Sequence, residues 1–465
     1  MARRTRTVWA ASAALAVVAS LAVSGLASAK DHPGHGAAAA KALVSPHSTS
    51  STSSTSGTSP GATPPPTTAT STDSSISYAD LDAFAAGHSA ALKSKNRAGF
   101  VSIVDPGHPD LVTSQGQLYD NLQKIPFTTA KYAVTMVDES TPAQGGTSTA
   151  TVTVAFDHQI TGVDSVPVEE RYKWTVQRTG LNGTLEVTAI AGATSEHNYP
   201  APWDDVAGLT VLTRPKVVIM ADDTSASFAK SHADAMERDA EYDFAHWSGG
   251  SGSAPGFAVF LTADRSRYEG IYSQNRAESV GVTVPIAAAG KDDGFYPSSR
   301  IAVDTTQYKN VDPADADIVF KHEMAHAMIG PFEDQSASSG QDHLWVIEGF
   351  AEWESQRMYS TEELLYDGET LHTYLGKHGV PHALPTDSDV YSSNSDTSAL
   401  GYFYSHMAIR YMADEYGADK VDQFVLAVYK HATGSTCVDD AMKSVLGITT
   451  DQFTQGFAKW LHSSV

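Results

Sequence analysis

Cysteine is nearly absent: of 465 residues only Cys437 carries a thiol. That excludes a disulfide framework within the chain and any zinc site built on cysteine. Basic residues are also scarce. Lys and Arg number 31 against 54 Asp and Glu, for a formal charge of −23, and no basic run follows the first six residues. A nucleic-acid partner, which calls for a basic patch, is therefore excluded. An acidic surface favours solubility and disfavours anionic partners. The mean hydropathy of −0.23 excludes a protein with many membrane spans. No internal repeat is visible. What is present is enough apolar material, 41% of residues, to build buried cores, and length alone suggests about three units.

The first unit is a targeting segment. Arg3, Arg4 and Arg6 precede an apolar stretch from Val8 to Leu26, and Ala27-Ser28-Ala29 has the small-x-small form of a cleavage site. Residues 1–29 thus read as a secretory signal peptide, which places the mature chain outside the cell. The competing reading is an uncleaved anchor, which would tether the protein to the cell surface; Ser12, Ser20, Ser24 and Gly25 weaken it as a span. With cleavage no stable membrane insertion is expected. Residues 30–75 are rich in Ser, Thr, Pro and Gly. They carry too few apolar side chains to offset the entropy of ordering and are expected to form a disordered linker.

Residues 76–200 read as a small α+β domain. Leu81, Phe84, Ala85 and Leu92 recur near helical spacing, and Leu111–Leu122 is a second helical segment. The period then changes to two over 132–137, 150–156, 171–176 and 185–190, as in strands. Asn182-Gly183 between the last two predicts a tight two-residue hairpin. Helices followed by an antiparallel sheet resemble the NTF2-like fold, a resemblance carried by element order alone. It leaves the domain as a spacer or docking unit, or as an adhesion module.

Residues 201–465 hold the chemistry. Strands are expected at 209–212, 216–220, 257–261, 281–286 and 300–303, with a helix from Ser225 to about Phe244. Beyond Asp312 the chain should be mostly helical. Residues 321–326 read Lys-His-Glu-Met-Ala-His. Asp312-Pro313 supplies a helix start and Gly330-Pro331 a stop. On a helix, residues four apart lie about 40° apart in azimuth and about 6 Å apart in rise, so His322 and His326 can reach one metal ion. Glu323 then lies beside the ion, where a carboxylate can take a proton from water. His322 shares an apolar stripe with Ile318, Ala325 and Ile329 and so points inward, and without a metal a buried His, Glu and His with no partner would be costly.

A second motif reads Trp345-Val-Ile-Glu348-Gly-Phe-Ala-Glu352-Trp353. Catalytic zinc sites take three protein ligands and leave a fourth position open. Glu348, a carboxylate among large apolar residues, is the natural third. Glu352, one turn on, is read either as a group that orients a ligand histidine or as a solvated helix carboxylate.

Together, His322-Glu323-x-x-His326 and Trp-x-x-Glu348-Gly-Phe-Ala-Glu352 resemble the gluzincin zinc metallopeptidases, above all the peptidase MA-like group and more distantly the zinc aminopeptidases. The resemblance covers roughly residues 209–465. It implies a zincin-like metallopeptidase domain, a mixed sheet plus a helical half, with one Zn2+ in the cleft and a peptide or protein as substrate. It also implies an oxyanion-donating tyrosine at the start of a later helix. Tyr402 is the aligned candidate, with Tyr404 and His406 as alternatives. The aminopeptidases' Gly-x-Met-Glu-Asn amine anchor has no counterpart; Ala235-Met236-Glu237-Arg238 falls inside an expected helix. The expected activity is therefore that of a secreted endopeptidase using metal-activated water, with Glu323 as general base. The alternative is a catalytically inactive, metal-containing binding or adhesion protein of the cell exterior.

Overall fold

A computed structural model describes residues 75–465, apart from residue 145, short stretches at 181–182, 194–198, 274–278, 292–294, 310–315, 334–340 and 431–435, most of 362–378, and the last residue. The signal and linker readings, and the Asp312-Pro313 helix start, lie outside the described residues. The architecture is mixed α+β, with two sheets and a helical half.

The described residues open on helix α1 (Tyr78–Lys93), where Ser77 and Asp80 form a capping box, and continue to α2 (Pro109–Leu122), with proline in its first turn. Four strands follow as an antiparallel meander: β1 (Phe127–Gln144), β2 (Thr147–Ile160), β3 (Val168–Thr179) and β4 (Leu185–Gly192). Leu81, Ala85, Leu118 and Leu122 on the helices are buried with Tyr132, Val152, Val154 and Trp174 on the sheet. Strand β3 ends at Thr179 and β4 begins at Leu185, with Arg178 opposite Leu185; the tight hairpin expected at Asn182-Gly183 lies partly outside the described residues. A register shift of the kind a bulge makes falls between Thr175 and Val176.

The second sheet has the order β5-β6-β7-β9-β8, formed by β5 (Thr210–Thr213), β6 (Val217–Ala221), β7 (Phe257–Thr262), β8 (Gly281–Ile286) and β9 (Ser298–Asp304). Strands β6, β7 and β9 run parallel; β5 and β8 are antiparallel edges. The central strands are apolar on both sides because both sides are covered. Val217, Ile219, Phe257, Val259, Ile301 and Val303 face the helical half. Val218, Met220, Ala258, Phe260 and Ala302 face a core continuous with the first sheet.

The junction near residue 200 is accordingly packed. Asn121 on α2 donates to the carbonyls of Trp203 (3.1 Å) and Val206 (2.6 Å) and accepts from the Leu209 amide (3.0 Å). Arg300 on β9 pairs with Asp164, which follows β2, at 2.8 Å, and both side chains are fully buried. Losing either partner would strand a buried charge, at a cost of about 3–5 kcal/mol.

The helical half comprises α3 (Ala226–His246), α4 (Ala316–Ile329), α5 (Leu344–Gln356), the single turn α6 (Asp387–Val390), α7 (Ser395–Tyr416), α8 (Ala418–Lys430) and α9 (Thr450–Ser464). Among the described residues no helix is long and apolar enough to cross a membrane.

Candidate metal centre

Helix α4 brings its two histidines together by local geometry alone. His322 Nε2 and His326 Nε2 lie 3.1 Å apart, as residues one turn apart on a common face can. The helix ends at Ile329 and passes into a short 3-10 turn at Gly330–Phe332.

The third group arrives by packing. Helix α5 is buried along its whole length. Its first amides are capped from a distance: Asp387 Oδ1 on α6 accepts from His343 N (2.8 Å) and Leu344 N (2.9 Å). Gly349 lets α5 lie close against α7, since a Cβ there would stand 2.5 Å from the Ser405 carbonyl oxygen. Glu348, next to that glycine, then points Oε2 at both histidines, 3.4 Å from His322 Nε2 and 3.3 Å from His326 Nε2. His322, His326 and Glu348 are the group of ligand-type side chains, among the described residues, arranged to hold a metal ion.

The donor set fits such an ion. Tetrahedral zinc, with bonds of about 2.0–2.1 Å, sets its ligands about 3.3–3.4 Å apart. The three edges here are 3.1, 3.3 and 3.4 Å, and all three side chains are buried. The two rings differ in their electrostatics. Burial lowers His322 to about 4, against its bond to Glu348, which keeps the ring neutral and a ligand. Burial would lower His326 too, but Glu348 outweighs it and raises the group. For Glu348, burial is overcome by the two histidines, which hold its carboxyl down to about 2.

Glu352 lies on the next turn, 3% exposed, so a solvated role is excluded. Its Oε1 is 3.5 Å from His322 Nδ1, the nitrogen on the far side of the ring from Glu348. Gln356 Nε2 donates to its Oε2 at 2.5 Å. Burial, and then the charge of Glu348, push this carboxyl up to about 8.

Glu323 is fully buried against β8. Thr283 Oγ1 donates to its carboxylate Oε2 at 2.8 Å and also lies 2.9 Å from its main-chain carbonyl. Tyr402 on α7 is buried. Burial raises its phenol well above the usual value, and Glu348, Tyr391, Glu352 and Glu323 raise it further, so it stays a neutral donor. The two alternatives have different surroundings. Tyr404 is half-buried against the helical core and Phe403. His406 is buried, and burial, Arg410 and His322 lower it well below the usual histidine value.

Two residues here escaped the sequence reading. Tyr391 Oη donates to Glu348 Oε1 at 2.5 Å. Tyr391 follows α6, which Gly401 allows to abut the start of α7; a Cβ at 401 would meet the main chain of Asp389 and Val390 at 2.9 Å. The second is Thr283. Strand β8 was legible, but nothing local says which helix its polar face meets.

No family model matches this chain, and no curated protein sequence matches it. Among solved structures, an M1 zinc metallopeptidase from Deinococcus radiodurans is similar over 71% of this chain and 61% of that one, with 15% identity and a TM-score of 0.33. The match thus spans less than two thirds of that structure's length.

Proposed function

We propose that this protein is a secreted zinc-dependent endopeptidase, with residues 76–200 an NTF2-like domain and 201–465 a zincin-like peptidase domain. One observation carries the reading: two histidine nitrogens and one carboxylate oxygen converge, buried, at the mutual distances of three ligands of a tetrahedral ion. When bound, zinc supplies Lewis-acid polarisation of a peptide carbonyl and a more acidic water.

The remaining work falls to side chains of this chain. His322, His326 and Glu348 hold the ion, and Glu352 orients the His322 ring. Glu323 takes a proton from the attacking water and returns it to the departing amine. Tyr402 donates to the former carbonyl oxygen as negative charge collects there. Endopeptidase rather than aminopeptidase action follows from the lack of an amine anchor. Glu237 lies inside α3 and its carboxylate accepts from the Lys216 amide at 2.9 and 3.1 Å, an architectural use. A non-catalytic metal protein would have no need of Glu323, which is not required to hold the ion.

The test is metal content of the purified protein, then hydrolysis of an internally quenched peptide with blocked ends, with and without chelator. Zinc near one equivalent and chelator-sensitive cleavage are expected. His322→Ala and His326→Ala should lose both metal and cleavage; full zinc content in either variant would refute the site.

A further inference from the structure

The base itself has to be held, and the structure shows by what. A glutamate has three rotatable side-chain bonds, and fixing such a side chain has an entropic cost. A catalytic carboxylate nevertheless has to be kept within about 0.5 Å of its working position. Beside Glu323 on α4 stand the two histidines and apolar groups such as Met324 and Ala327.

The hold comes from edge strand β8. Its period-two alternation sends Val282, Val284 and Ile286 into the core shared with the first sheet, and Gly281 and Thr283 to the other face, toward α4. Thr283 Oγ1 lies 2.8 Å from Glu323 Oε2. The same hydroxyl is 2.9 Å from the Glu323 carbonyl, but that carbonyl already has an intrahelical partner within α4. The single hydroxyl proton therefore goes to the ionised carboxylate, the stronger acceptor. Two residues back, Gly281 leaves room for the other oxygen. A Cβ there would stand 2.7 Å from Oε1 and 2.9 Å from Cγ. The carboxylate is thus seated across two alternate positions of one strand, with the Thr283 donor on one oxygen and Gly281 beside the other.

We infer that Thr283, with Gly281 as its spacer, is a positioning residue for Glu323: the edge strand sets the orientation of the general base from outside the helix that carries it. The Thr283 hydroxyl bonds to Glu323 and not to His322, His326 or Glu348, so its effect is on rate and not on metal retention. The inference rests on the peptidase reading, and the test is built so that the two can fail separately.

Three variants of the full-length protein are compared, each with zinc content measured. Thr283→Val keeps the shape and β-branching but removes the donor. It should lower kcat by about tenfold to a hundredfold, the usual range for a group that orients a working side chain, with KM and zinc content unchanged. Thr283→Ser should recover most of the lost rate, because it restores the hydroxyl. Gly281→Ala should lower kcat through the added Cβ while leaving the hydroxyl in place. A second readout does not depend on turnover. Crystal structures of the zinc-loaded variants should show Glu323 in a single orientation with Ser at 283 and in a displaced or divided one with Val. Wild-type turnover in Thr283→Val, equal loss in the Ser and Val variants, loss of zinc in Thr283→Val, or an unmoved Glu323 in its crystal would each overturn the inference. If the wild-type chain cleaves no peptide, the peptidase reading falls and the crystallographic comparison alone decides whether Thr283 seats Glu323.

Discussion

Replacing Tyr391 by Phe removes one oxygen and leaves the ligand set untouched, yet it should weaken metal binding. In the structure Glu348 uses its two oxygens differently: Oε2 faces both histidines, while Oε1 accepts from the Tyr391 phenol at 2.5 Å. Burial, and then Glu348 itself, push that phenol well above its usual range, so it is a donor at any working pH. The bond fixes the carboxylate in the orientation that presents a single oxygen to the ion. Without it the carboxylate can rotate or engage either histidine through either oxygen, and a metal has to select one arrangement on binding. Hydrogen bonds to charged groups contribute about 1.5–3 kcal/mol, and partners of metal ligands are worth about 10–100-fold in affinity. At about 1.4 kcal/mol per tenfold these two ranges coincide. Zinc affinity, measured by competition with a chromophoric chelator, should therefore fall about 10–100-fold in Tyr391→Phe. Denaturant melts of the metal-free forms would separate this from a general loss of stability. An affinity within about threefold of wild type would refute the reasoning, because about 0.7 kcal/mol is too little for a bond that orients a ligand.

Three further outcomes are expected. Glu323→Gln should retain zinc yet lose roughly two to four decades of kcat, the range for a general base, as read by metal analysis and the quenched-peptide assay. Tyr402→Phe should lower kcat by about tenfold to a thousandfold with zinc content unchanged, as for loss of one oxyanion donor; near-normal kcat would move that role to another group. Asp204, half-buried beside Tyr172, is raised to about 7, well above the usual carboxylate range, mainly by its removal from water. Its folded form holds a proton that the unfolded chain releases, so its contribution to stability is full below about 3.8, falls as pH rises toward 7, and is level above. Asp204→Asn should flatten the dependence of the melting temperature on pH across that window. A pH profile unchanged by the substitution would refute this.

How much of this was legible before folding depends on the range of each interaction. The approach of His322 and His326 needs only a helix and a spacing of four. The strands of the second sheet could be read because burial on both faces leaves unbroken apolar runs such as Val217–Ala221. The register of β3 on β4 was not legible, because it is set by the pairing of whole strands, here Val176 with Val187 and Arg178 with Leu185. The packed junction at residue 200 had no sequence signal either; the Arg300–Asp164 pair joins positions 136 apart.

The sequence by itself determined the ligand-type side chains, their spacing on α4 and α5, the scarcity of cysteine, and the acidic balance of charge. Those are properties of composition and of neighbours within one turn, where covalent connection does the positioning. Only the tertiary structure decided that Glu348 Oε2 meets both imidazoles, that Tyr391 holds its other oxygen, and that Thr283 on a distant strand reaches Glu323. Each of these depends on how closely two elements approach. That distance is set by close packing at Gly349, Gly401 and Gly281, where a single added carbon would stand 2.5 to 2.9 Å from its neighbour.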